Sequence, residues 1–280
     1  MTNEEIKSAE VLIKLALKED VGTGDITTGS LIPEFISRKA ILVTKADGVV
    51  AGLPVAELVF RNLDRNLQWN PLVSDGARVK KGEVIVGFEG SYRSLLTGER
   101  TALNFLQRMS GIATASARYS DELQGTGCQI LDTRKTLPGF RLLDKYSVRM
   151  GGSVNHRIGL FDMVMIKDNH IRVAGGIKQA VDTIRGNTPP GMKIEVETTC
   201  LDEVKEAVAA GVDVIMLDNM DTKIMAEAVR LINGKAKTEA SGNITLTRLK
   251  EIAATGVDFI STGALTHSVT ALDISQEIIG

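Results

Sequence analysis

The stretch "KIEVETTCLDEVKEAVAAGVDVIMLDNM", residues 193–220, decides the fold class. Two short apolar runs, one closing at Glu197 and the other at Asp218, flank "LDEVKEAVAAG", whose apolar residues recur with helical spacing. A strand, a helix and a second strand in so short a space imply parallel strands joined by a right-handed crossover. Both strands end on a carboxylate, at the C-terminal edge where a β/α barrel assembles its active site.

Working outward, the same texture repeats. "CQIL" runs to Asp132, "DMVMI" to Lys167, "AKTEA" to Ser241 and "VDFI" to Ser261. The helical patterns "GIKQAVDTI", "KIMAEAVRLING" and "TLTRLKEIAATG" fall between them. Six strands are visible where a complete barrel has eight. The N-terminal part reads differently. Thr2 and Glu5 have the spacing of a capping box ahead of an amphipathic run, Ile6 to Leu17. "GTGDITTGS" reads as a loop, "RKAILVTKADGVVAG" as one or two strands, and "PVAELVFRNL" as a helix opened by Pro54. "SDGARVKKGEVIVGFEG" resembles half of a lipoyl-like hairpin but has no lysine at its tip, so it reads as scaffold. A long helix follows from about Ser94. The expected architecture is α/β: an N-terminal α+β domain over 1–112, to which 270–280 could return, and an incomplete β/α barrel over 113–269.

Of the 280 residues 43% are apolar and 4% aromatic, which suits an aliphatic α/β core. The N-terminal stretch lacks a secretory pattern, no run approaches the ~20 apolar residues that span a bilayer, and two cysteines make no disulfide framework. A cytoplasmic, soluble protein is expected. The net charge is −2, yet 132–172 holds eight Lys or Arg against four Asp, leaving 25 against 31 elsewhere. Cations gathered locally in an acidic chain suggest a small anionic ligand rather than nucleic acid.

The candidate site residues follow from their places. "SGN", Ser241 to Asn243, and "STGALTHS", Ser261 to Ser268, are small-residue loops at the last two strand ends, suited to a phosphate. Glu197 and Asp218 would point into the barrel mouth, where two carboxylates suit Mg²⁺ or a ribose hydroxyl, or could pair with Lys167 or Arg134. Glu195 shares the face of Glu197, and periodicity does not separate them. Arg134 and Arg157 offer planar forks for carboxylate or phosphate, Lys135 and Lys167 movable charges, and His156 lies in the same Gly-rich loop as Arg157. His170 and His267 read first as structural, although His267 lies close to the second small-residue loop. Arg100 borders the apolar face of its helix, where an arginine usually snorkels into water.

Taken together, "EDVGTGDITT", "GERTALNFLQRMSGIAT", "LDTRKTLPGFRLLDKYSVRMGGSVNHRIGLFDMVMIKDNHI", "IEVET", "IMLDNM", "SGNIT" and "STGALTHS" resemble the quinolinate phosphoribosyltransferase family nearly end to end. The resemblance implies an N-terminal open sandwich with a six-stranded β/α barrel. It implies transfer of phosphoribosyl from phosphoribosyl pyrophosphate to quinolinate with Mg²⁺, giving nicotinate mononucleotide, pyrophosphate and CO₂. It further implies Arg134, His156 and Arg157 on the quinolinate carboxylates, with Arg100 supplied across a homodimer. Lys135 and Lys167 would face phosphoribosyl pyrophosphate, Glu197 and Asp218 the ribose and metal, and Ser241, Gly242 and Gly263 the 5′-phosphate. Asn243 stands where the family commonly has glycine, Met150 where a cysteine is frequent. A phosphoribosyltransferase for another acidic heterocycle, a Schiff-base enzyme using Lys167 and a non-catalytic sensor of phosphoribosyl compounds are the alternatives.

Overall fold

A computed structural model of the chain describes residues 1–279 and divides into two compact units. The first comprises Met1–Arg118, Thr136–Gly152 and Ala264 onward; the second comprises Tyr119–Lys135 and Ser153–Gly263.

The first unit begins with α1 (Asn3–Val21), whose N-terminus carries the expected capping box between Thr2 and Glu5. The "GTGDITTGS" segment is not a plain loop: it contains the short helix α2 (Ile26–Leu31). Asp25 supplies its cap, accepting the Thr28 N–H at 2.9 Å. Next come β1 (Ser37–Thr44), β2 (Gly48–Val49), α3 (Leu53–Leu63), β3 (Gln68–Pro71), β4 (Arg78–Val79), β5 (Val84–Ser91) and the long α4 (Tyr92–Glu122). Phe60, Trp69 and Phe88 form an aromatic cluster with ring centroids 5.0–6.1 Å apart.

In the second unit β6 (Gln129–Leu131) opens the parallel sheet; α5 (Arg141–Met150), which follows in sequence, belongs to the first unit. There Asp144 receives the Arg108 guanidinium at 2.9 Å and the Tyr146 hydroxyl donates to Asp75 at 2.6 Å. The sheet continues with β7 (Val164–Ile166), α6 (Asp168–Ala174), α7 (Ile177–Asn187), β8 (Ile194–Thr198), α8 (Leu201–Ala210), β9 (Val214–Asp218), α9 (Thr222–Ile232), β10 (Lys237–Ser241), α10 (Leu249–Ala253) and β11 (Phe259–Ser261). The last elements, α11 (Ala264–His267) and β12 (Ile274–Ile279), return to the first unit. There β12 pairs antiparallel with β1. The first unit's main sheet has the order β12-β1-β5-β3.

All six strands read from the sequence form one parallel sheet in the order β6-β11-β10-β9-β8-β7. Residues in register on neighbouring strands share a face, because side chains alternate along each strand. One face is aliphatic and sealed: Ile166, Val196, Ile215, Leu217, Ala240 and Ile260 are fully buried. The opposite face places Glu197, Met216 and Glu239 in register, then Asp218 beside Ser241. An apolar face under helices and a polar inner face are what positions the site.

Candidate active site

The polar residues cluster where the strands end. Lys167, just past β7, sets its Nζ 2.9 Å from Glu197 Oε2 on β8. The lysine is 48% exposed and the glutamate 16%, so the pair lies at the mouth, open to a ligand. Asp218, at the end of β9, is half-buried and accepts the Asn219 side-chain amide at 2.8 Å. Burial and the neighbouring Glu197 charge raise its pKa, opposed by Asn219, Lys167 and Lys135. Two carboxylates and two lysines therefore share one electrostatic neighbourhood. The Lys167 main-chain N–H donates to His170 Nδ1 at 3.0 Å, so His170 caps α6 in keeping with its structural reading.

A second group surrounds the loop 155–157. Asp132, fully buried just past β6, accepts the His156 N–H and the Asn155 side-chain amide, both at 2.8 Å. The His156 ring reaches inward, its Nε2 3.0 Å from Glu195 and 3.4 Å from Glu239. Its Nδ1 accepts the Arg157 main-chain N–H at 2.7 Å. Burial disfavours a charged His156 ring, but Glu195 and Glu239 more than reverse this and raise its pKa. Because Nδ1 already accepts the Arg157 N–H, the hydrogen-bond geometry keeps the ring neutral, with its single proton on Nε2 toward the two carboxylates. Burial pushes Glu195 up to about 7, with His156 opposing and Glu239 adding to the rise.

The Arg157 guanidinium donates through Nη1 to the Met163 carbonyl at 3.0 Å, while its buried Nε has no partner. Burial and the nearby Arg134 both lower its pKa, with Glu195 and Asp162 opposing. Two guanidinium groups brought close enough to repel each other make a ready anion site. Lys135, exposed beside Arg134, is held by its main-chain N–H to the Thr133 hydroxyl at 3.1 Å.

At the small-residue loops, Ser241 accepts the Asn219 N–H through its carbonyl at 2.9 Å. Gly242 has φ +89°, and a Cβ there would meet Asn219 Oδ1, so no other residue fits without displacing that side chain. Asn243 also takes a left-handed φ of 50° and donates its amide to Asn219 Oδ1 at 3.1 Å. Ser261 and Gly263 are buried at the end of β11.

Not every candidate gathers here. Arg100, exposed on α4, and His267, bonded to the Ser268 hydroxyl at 2.6 Å, belong to the first unit. The cation-rich segment is divided as well: Arg141, Lys145 and Arg149 lie on α5 in the first unit, where Arg149 pairs with Glu5. The second unit keeps Arg134, Lys135, Arg157, Lys167 and Arg172. Sequence reasoning missed Glu239 and Asp132 as members of the cluster. Glu239 had a signal, because it lies two residues before Ser241 on the same face of β10.

A model of the quinolinate phosphoribosyl transferase C-terminal domain matches residues 112–277, and one of the N-terminal domain matches 25–110. The chain is 47% identical over 266 residues to a probable carboxylating nicotinate-nucleotide pyrophosphorylase of Synechocystis, covering 94% of this chain and 90% of that one. It is 47% identical to the chloroplastic carboxylating nicotinate-nucleotide pyrophosphorylase of Arabidopsis thaliana, covering 96% and 82%. Among solved structures, NadC from Streptococcus pyogenes superposes with a TM-score of 0.95 at 40% identity, covering 100% and 98%. The nicotinate-nucleotide pyrophosphorylase of Francisella tularensis superposes at 0.94 with 43% identity, covering 98% and 96%.

Proposed function

This chain belongs to the quinolinate phosphoribosyltransferase family, and from that premise we propose that its reaction runs at the polar mouth of the parallel sheet. The enzyme transfers phosphoribosyl from phosphoribosyl pyrophosphate to quinolinate with loss of CO₂, forming nicotinate mononucleotide and pyrophosphate for NAD biosynthesis. The observation that carries the site assignment is the Lys167–Glu197 pair with Asp218 beside it, next to the paired guanidinium groups of Arg134 and Arg157.

Quinolinate is a dianion and its co-substrate carries several negative charges, so their encounter needs fixed cations. Arg134 and Arg157 take the quinolinate carboxylates as forks, with His156 beside them, and Lys135 and Lys167 meet the pyrophosphate side. Glu197 and Asp218 face the ribose, where a positioned carboxylate stabilises the oxocarbenium character that develops as pyrophosphate departs. Ser241, Gly242, Asn243, Ser261 and Gly263 hold the 5′-phosphate. Alkylation makes the ring nitrogen cationic, and that charge stabilises the carbanion left as the adjacent carboxylate leaves as CO₂. The chain supplies orientation and electrostatics, with no side-chain nucleophile.

The carboxylates of Glu197 and Asp218 also fit Mg²⁺. Their oxygens are hard donors, and burial first and then the Glu197 charge raise the Asp218 pKa, so a divalent cation there would relieve two carboxylates that disfavour each other. When bound, Mg²⁺ supplies charge neutralisation for the pyrophosphate. We further propose a homodimer in which Arg100 completes the partner's site, acting in the cytoplasm; no helix among the described residues is long and apolar enough to cross a membrane. Calorimetry tests the division of labour: Glu197→Gln should weaken phosphoribosyl pyrophosphate binding and spare quinolinate, and equal weakening of both would refute it. Mixing Arg100→Ala with Lys135→Ala chains tests the shared site, since hybrid dimers should regain activity.

A further inference from the structure

Glu195 and Glu239 lie close together on the inner side of the sheet, 0% and 1% exposed, and both approach the His156 ring. Two carboxylates buried this deeply are costly unless something is held by them. Both Glu195 oxygens and Glu239 Oε1 make no hydrogen bond, Glu195 Oε2 lying at ion-pair distance from His156 Nε2, so packing alone gives no account of the two carboxylates. An aliphatic pair would fill the same space without that cost.

What they do hold is a short chain of contacts. Both carboxylates meet His156 Nε2, which orients the ring so that Nδ1 faces outward along the main chain. There it accepts the Arg157 N–H, the donor one residue ahead of the ring. Asp132 fixes the same loop from the other side, through the His156 N–H and the Asn155 amide. The loop is thus strung between the end of β6 and the interiors of β8 and β10, and the guanidinium of Arg157 projects from its last residue.

We propose that Glu195 and Glu239 are positioning residues for recognition of the acceptor: they clamp the His156 ring and, through its Nδ1, set the main chain and hence the aim of the Arg157 fork. The proposal rests on the reading that Arg157 receives a quinolinate carboxylate. It assigns the two glutamates no contact with either substrate. A fork is sensitive to such support, because bidentate binding needs both oxygens met at once.

The test compares Glu239→Leu, which fills the space but accepts no hydrogen bond, with Glu239→Gln, which keeps an acceptor for Nε2–H. In Glu239→Leu the KM for quinolinate should rise about tenfold or more, the scale of losing an orienting partner, while that for phosphoribosyl pyrophosphate stays within about twofold. Glu239→Gln should restore the quinolinate KM to within about threefold of the parent. An unchanged quinolinate KM in the leucine chain, equal shifts for both substrates, or a glutamine chain no better than the leucine one would overturn the proposal. Glu195→Leu and Glu195→Gln repeat the comparison at the other carboxylate, should Glu239→Leu not fold. Arg157→Lys in the same assay separates the two levels. If it leaves the quinolinate KM unaltered, the reading of Arg157 itself fails; if it raises the KM while Glu239→Leu does not, only the positioning role falls. In the double variant Arg157→Lys with Glu239→Leu, the quinolinate KM should rise no further than in Arg157→Lys alone, because the clamp acts through that fork.

Discussion

Lys167 and Glu197, thirty residues apart in sequence, meet at 2.9 Å across the ends of β7 and β8. Lys167 also lowers the proton affinity of Asp218, so this one ammonium balances two carboxylates at the mouth. Lys167→Ala should therefore reduce kcat by about 10²–10³-fold, the scale for removing one group aimed at developing charge. Steady-state kinetics with a circular dichroism control checks it, and a loss under tenfold would remove Lys167 from the catalytic set.

Arg157 binds only one of the two substrates in this account. Its guanidinium donates to the Met163 carbonyl and to Met165 Sδ and leaves a buried Nε unpartnered. Arg157→Ala should abolish measurable quinolinate binding while phosphoribosyl pyrophosphate binds within about threefold of the parent, since only one ligand loses its fork. Calorimetry with both substrates equally weakened would contradict the role.

Much of this was legible in the sequence, and the exceptions have physical reasons. The six strands around 129–261 show because each is a short apolar run closed by a polar residue and followed by a helix period. The strands β3 and β12 were not legible: "QWNP" and "ISQEII" carry no clean alternation, and their pairing depends on partners far away in the chain. The grouping of α5 with the first unit is set by Asp144, Tyr146 and Arg149, whose partners Arg108, Asp75 and Glu5 no local pattern connects. In the site, Lys167, Glu197 and Asp218 were readable as strand ends. The clamp on His156 was not, because a glutamate inside a parallel strand looks like an error of pattern until two of them are found to approach one ring.

Gly242 is constrained twice, by its φ of +89° and by the Asn219 side chain that occupies the space of a Cβ. Gly242→Ala should cost about 1–3 kcal/mol of backbone strain. It should also displace Asn219, which bonds Asp218, and so raise the KM for phosphoribosyl pyrophosphate about tenfold with quinolinate little affected. Thermal melting and initial rates together check both effects.

Asp258 offers a test of stability against pH. Burial alone would raise its pKa, but the Lys237 ammonium at 2.6 Å and the Thr238 N–H and hydroxyl, both at 2.9 Å, bring it below the ordinary value. A depressed folded pKa means stability that is present above the unfolded value of about 3.9 and lost as pH falls through the folded one. Asp258→Asn should lower the melting temperature at pH 7, and the gap to the parent should shrink below about pH 4. A gap that stays constant across that range would show that the charge contributes nothing.

The most direct measurement is a two-substrate assay in which the purified chain, Mg²⁺ and phosphoribosyl pyrophosphate are offered quinolinate or nicotinate, with mononucleotide and CO₂ followed together. The account predicts nicotinate mononucleotide and CO₂ in equal amounts from quinolinate and no product from nicotinate, because the paired forks of Arg134 and Arg157 are matched to a dianion. Product from nicotinate, or silence with quinolinate while phosphoribosyl pyrophosphate still binds, would contradict it.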